Sequence, residues 1–195
     1  MPARHCLAGL AVAASAIVAA GCGTSAPVSP SGSQAASSSA TQHAATCQPS
    51  QLRLTVGQKV SEATQQSTLL LVFRNIAATK CYLRGYPRIA LADNSGAPLP
   101  FSYAQRGDQM LTSRRPGRVA LPSGGVAYSA INKTTCTAFA SRTAARAWVT
   151  PPGDHEPLSL RLPRYPVLGY CGAGDPGHVV DIAPVEQMSV AVLAG

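Results

Sequence analysis

Cys22 carries the best-defined chemistry in this 195-residue chain. It follows Val18-Ala19-Ala20-Gly21, small residues that present its thiol for diacylation and the Gly21–Cys22 bond for cleavage. A short basic start, Arg4 and His5, and an apolar Ala-rich run from Cys6 to Ala20 stand in front of it. Such a run falls short of the roughly 20 residues that cross a bilayer. An ordinary secretory site would end in an Ala-x-Ala pattern with no need for a Cys at the cut. The expectation is an exported protein held at the extracytoplasmic face of the cell membrane by lipid on Cys22. Plain secretion and a retained anchor are the competing readings, and Ala19 stands where such sites more often carry Leu.

Four further cysteines, Cys47, Cys81, Cys136 and Cys171, follow Cys22. An even number in an oxidising compartment predicts two disulfides, with three connectivities open. The sequential pairing, Cys47–Cys81 and Cys136–Cys171, is favoured because it closes two loops of about 35 residues, each contributing roughly 3–4 kcal/mol. A four-thiolate metal centre would want a Cys-x-x-Cys pair, and none is present.

Other residues invite chemistry less strongly. Arg106, Arg114, Arg115 and Arg118 crowd a segment whose single acid is Asp108, a candidate anion-binding patch or simply a solvated loop. Arg106-Gly107-Asp108 matches the integrin tripeptide, and Asn132-Lys133-Thr134 fits a glycan sequon. Asp154-His155-Glu156 cannot all face one ion from an extended strand. Asp175 and His178 form a dyad without a third partner, and His43 stands upstream of the first domain cysteine. Ser123 sits in Leu-Pro-Ser-Gly-Gly, a turn rather than a nucleophile elbow. The acids are scattered, leaving a carboxylate pair to form only in space. No catalytic site, metal or cofactor is assigned.

The elements that would position these residues are strands. Leu158, Leu160 and Leu162 alternate with polar residues, as do Met188, Val190 and Val192, Val119 and Leu121, and Ile89 and Leu91. Thr68–Phe73 is apolar at consecutive positions and suits a central strand covered on both faces. Leu52–Val56, Val126–Asn132, Ala147–Thr150 and Val179–Ile182 complete the set. Between them lie turn sequences: Asp93-Asn94-Ser95-Gly96, Pro122-Ser123-Gly124-Gly125, Pro151-Pro152-Gly153 and Asp175-Pro176-Gly177. The pattern predicts an all-β sandwich of seven to nine antiparallel strands. Thr137–Arg146 is the one stretch with helical composition, and Trp148, the sole Trp, is expected in the core.

Domain organisation follows from composition. Residues 1–21 form the signal, and residues 22–46 a tether without charge or aromatic groups, spanning roughly 25–30 Å as a flexible coil. Residues 47–195 form one domain of about 150 residues, long enough to bury a core. Net charge is +8, or +7 without Arg4. Inside a cell that balance would raise nucleic acid as a partner. For an exported chain it points to headgroups and acidic envelope polymers.

One block is more specific. Asn75, then Cys81-Tyr82-Leu83-Arg84-Gly85-Tyr86-Pro87-Arg88-Ile89-Ala90-Leu91-Ala92-Asp93, then Gly96 and Leu99, resembles the signature of an uncharacterised family of actinobacterial exported proteins and lipoproteins. Leu121–Tyr128 resembles its Pro-Gly turn entering a strand, and Cys136 and Cys171 its later cysteine pair. The resemblance implies an immunoglobulin-like sandwich outside the membrane and brings no activity. The functional expectation is a non-catalytic binding module for an envelope protein or acidic polymer. A carrier of a lipid or small apolar ligand is the alternative, and an envelope hydrolase comes third.

Overall fold

A computed structural model describes residues 44–194 apart from Glu62. Cys22, the signal over 1–21 and the tether as far as residue 43, including His43, lie outside the described residues. Twelve strands are present among the described residues: β1 (Leu52–Val56), β2 (Gln66–Asn75), β3 (Cys81–Arg84), β4 (Arg88–Ala92), β5 (Ser102–Ala104), β6 (Arg118–Leu121), β7 (Val126–Thr134), β8 (Arg142–Thr143), β9 (Arg146–Thr150), β10 (Leu158–Arg161), β11 (Gly169–Tyr170) and β12 (Val179–Ile182). Helical structure is confined to three 3-10 turns, Pro49–Gln51, Pro176–His178 and Ser189–Ala191. The strand count exceeds the expected seven to nine because β5, β8 and β11 are pieces of two or three residues.

One sheet runs β1-β2-β7-β12-β5 and faces a second, β10-β9-β4; two-stranded ribbons, β3–β6 and β8–β11, close the sandwich. All pairings are antiparallel except β12 with β5. The architecture is the expected immunoglobulin-like kind. Its core draws alternate residues from every sheet: Leu69, Leu71 and Phe73 from β2, Ile89 and Leu91 from β4, Ile131 from β7, Val149 from β9 and Val180 from β12. Both disulfides take the sequential pairing, at sequence separations of 34 and 35. Ala45 and Thr46, tether by composition, pair with Tyr82, so the ordered chain begins ahead of Cys47.

The apolar run of β2 has a specific cause. Leu69, Leu71 and Phe73 face the main core. Leu70 faces the other way, into a second cluster with Leu111, Ala130, Ala183 and Val192. The loop over 105–117 and the C-terminal segment are laid across the outer face of the five-stranded sheet. A strand covered on both faces has no solvent side to alternate toward.

Three expectations are corrected. Met188, Val190 and Val192 do not form a strand: Ser189–Ala191 is a 3-10 turn, Met188 and Val190 are exposed, and only Val192 is buried. The chain here turns to bond with the 105–117 loop instead, the Thr112 amide on the Val192 carbonyl and the Ala194 amide on the Met110 carbonyl. Thr137–Arg146 is not helical, because the amides of Ser141, Ala144 and Ala145 donate to Tyr170, Leu168 and Ala92 across strands. Trp148 is half-buried on the outward side of β9, since Ala147 and Val149 take the inward positions.

Candidate functional site

The four arginines expected to act together are tied to different elements. Arg106 Nε lies 2.5 Å from Asp181 Oδ1 on β12. Arg118 stacks 3.8 Å above the Tyr82 ring and donates to the Ala44 carbonyl. Arg114 and Arg115 are exposed in the loop before β6, without a side-chain partner among the described residues.

Several motif residues are consumed by folding. Asp108 Oδ1 accepts from the amides of Met110 and Leu111, and Oδ2 from Asn132 Nδ2 at 2.6 Å, so the Arg-Gly-Asp tripeptide is fastened down at both charged ends. Gly107 is required there, because a Cβ would sit 2.6 Å from the Ser113 nitrogen. The sequon residue Asn132 is buried, bonded also to Thr68 and Gln66. Asp175 Oδ1 caps the Gly177 amide, its Oδ2 accepts from Thr137, and His178 Nδ1 reaches the Asp175 backbone carbonyl: a turn rather than a dyad. Asp154 likewise accepts from the amides of Glu156 and His155, which lowers its pKa. Ser123 lies in a turn closed by the Gly125 amide on the Pro122 carbonyl.

The tertiary structure does build a carboxylate pair, Asp108 with Asp181. Burial raises the Asp181 pKa first; the Asp108 carboxylate it meets raises it further, while Arg106 draws it down. Asp181 belongs to β12 and Asp108 to the loop above it, so no motif in the sequence joins them. With Arg106 over one carboxylate and Asn132 under the other, the pair works as a fastener for the loop.

A different arrangement occupies the outward face of β10-β9-β4. The residues that point away from the core are Arg88 and Ala90 on β4, Arg146 and Trp148 on β9, and Ser159 and Arg161 on β10. Register sets Trp148 between Ala90 and Ser159, two small residues that leave its ring flanks open. It sets Arg146 directly opposite Arg161. Like charges facing across a pair destabilise a sheet, so this pairing works against folding. The two ion pairs among the described residues are Arg106–Asp181 and Arg142–Asp93, leaving Arg146 and Arg161 without a carboxylate, while Arg88 acts on the Asp154 carboxylate through space. Arg88 donates to the Asp154 backbone carbonyl at one end of the face.

The model of one protein family, described as "Domain of unknown function (DUF4232)", matches residues 47–188. The chain belongs to that family. No curated protein and no solved structure matches it. The match covers both disulfides, the fastened loop and the basic face of this DUF4232 domain.

Chemically, the face offers a flat aromatic surface with two guanidiniums beside it and a third on β4. Trp148 can lie against a ring, and each guanidinium can hold an oxyanion by paired hydrogen bonds. Sequence reasoning placed Trp148 inside and drew the arginine cluster from neighbours in the chain. The usable signal was the alternation of Arg146, Trp148 and Thr150, once Ala147 and Val149 are recognised as the core positions.

Proposed function

We propose that this DUF4232 domain is a non-catalytic binding module, held at the extracytoplasmic face of the cell membrane by lipid on Cys22. Its β10-β9-β4 face takes an acidic polymer of the envelope, and nucleic acid is not its partner. The observation that carries the reading is the uncompensated Arg146–Arg161 pair beside an outward Trp148. A polymer with regularly spaced anions supplies the counter-charges this pairing lacks, and a ring-containing backbone suits the indole. Two structural disulfides and a rigid sheet face preorganise the site, which lowers the entropic cost of binding.

Trp148 is the sole Trp, so its emission reports on this face alone. Titration of the full mature protein with polygalacturonate, an acidic polymer of sugar rings, is expected to change that emission, and neutral dextran is not. Replacing Arg146 and Arg161 together by Ser should weaken binding about tenfold or more, the scale of losing two charge-assisted contacts. Binding should also weaken as salt rises. Unchanged affinity in the double variant would remove the basis for this face. Intact-mass measurement of the membrane-extracted protein tests the anchor: a start at Cys22 with acyl mass is expected.

A further inference from the structure

Lys133 stands where the fold calls for an apolar residue. On β7 it takes the inward side, two positions after the core residue Ile131 and opposite the buried Ser67 of β2. It is 1% exposed. Its ammonium donates to the Thr134 carbonyl at 2.5 Å and lies 4.0 Å from Cys171 Sγ. No carboxylate is in direct contact with it: Asp175, whose side chain is bonded to Thr137 and Gly177, acts on it only through space. A buried cation with no directly bonded carboxylate is costly, and an anion in contact with it would stabilise it.

Lys133 lines a cleft of about 250 Å³ at the end of the sandwich, between β7 and the disulfide-bonded β8–β11 region. The hydroxyl residues Ser67 and Thr135 share the lining at the polar end. Elsewhere the walls are Ala138, Ala140 and Val167, with Phe139 fully exposed (100%) at the rim. The cleft therefore joins a cation with no carboxylate in direct contact to an apolar surface that lacks a cover. At roughly 30 Å³ per water-sized group, it holds about eight such groups.

We infer that this cleft binds a small carboxylate-headed apolar ligand, its headgroup on Lys133 and the Ser67 and Thr135 hydroxyls, its body against Val167 and Phe139. A single ammonium matches a monoanion, and the volume matches a chain of about six carbons. The site is separate from the β10-β9-β4 face and does not depend on the polymer reading.

Burial lowers the Lys133 pKa to about 8, with Asp175 opposing the shift. The other titratable groups around it are His178 beside Asp175 and Tyr170 on β11. Arg142 on β8 is already paired with Asp93, and the two cysteines are oxidised. The cation needed by a carboxylate is thus present at pH 7 and largely lost by pH 9.

The test is calorimetric titration of the full chain with hexanoate, and with hexanol as its neutral match. Hexanoate should bind at pH 7, weaken about tenfold by pH 9, and bind clearly tighter than hexanol at pH 7. Lys133→Met should abolish the preference for hexanoate, and Phe139→Ser, at an exposed position, should weaken both ligands. No binding at pH 7, equal affinity at pH 7 and 9, equal binding of hexanol, or hexanoate binding retained by Lys133→Met would each overturn the assignment. If Lys133→Met does not fold, the pH series on the unsubstituted chain decides by itself.

Discussion

Replacing Lys133 by Met should make the protein more stable at neutral pH, and the gain should fade as pH rises. In the unfolded chain the lysine ionises near 10.5, and in the folded domain near 8. Between those values the unfolded state binds more protons, so the stability of the unsubstituted protein rises with pH through that window. The full difference corresponds to about 3 kcal/mol at 1.36 kcal/mol per pH unit. The contact with the Thr134 carbonyl, lost with the ammonium, offsets part of it, leaving about 1–2 kcal/mol. Methionine keeps the length and apolar stem of lysine and removes the charge, a substitution that is usually neutral or stabilising at a buried ion. Urea unfolding of both proteins at pH 6, 7, 8, 9 and 10, with disulfides intact, isolates the effect, because other titrating groups cancel in the difference. We expect Lys133→Met to lead by about 1–2 kcal/mol at pH 6 and 7, narrowing from pH 8 upward. A gain that does not change with pH would show that Lys133 is not buried as a strained cation. A loss at every pH would show that the Thr134 carbonyl contact outweighs desolvation.

Other consequences concern the loop, the turn and the disulfides. Arg106→Ser removes the cation from Asp181 and leaves it beside Asp108, so the destabilisation seen by urea unfolding should be larger at pH 7 than at pH 4. The sign follows from Asp181, whose pKa, already raised by burial, rises further without Arg106, so its ionised form is disfavoured only at the higher pH. Asn75→Ala should cost about 2–4 kcal/mol in thermal or urea unfolding. The Asn75 side chain is fully buried, its amide donates to the carbonyls of Thr79, Leu121 and Pro122, and its oxygen accepts from Ala77. Replacing Cys47 and Cys81 together by Ala should lower stability by roughly 3–4 kcal/mol, read from the urea midpoint, since the bridge closes a loop at separation 34.

Much of the fold was legible as a pattern of period two. β1 and β12 run over the expected strands Leu52–Val56 and Val179–Ile182, and β2 carries the doubly buried run. Turn chemistry was equally local: Asp93 Oδ1 accepts from the Ser95 and Ala97 amides, and Gly96 takes a φ of +87°. The favoured disulfide pairing also holds, with Cys47 and Cys81 joined through neighbouring backbone bonds at Tyr82. These features depend on a residue and its near neighbours, and so they are written in the chain.

Sites were less legible, because they depend on which strands become neighbours. Arg146 and Arg161 stand opposite each other only through the β9–β10 register, and Trp148 faces outward only because Ala147 and Val149 were needed inside. Met188 and Val190 alternate like strand residues, yet their segment turns at Ser189–Ala191 to bond with the 105–117 loop. Asp108 and Asp181 meet across a loop and a strand that share no motif. The sequence alone determined most strands and turns, since each rests on short-range periodicity or a contiguous turn sequence. Only the tertiary structure decided which charges are neutralised and which are left facing solvent or a cleft, because charge compensation belongs to pairs of residues far apart in the chain.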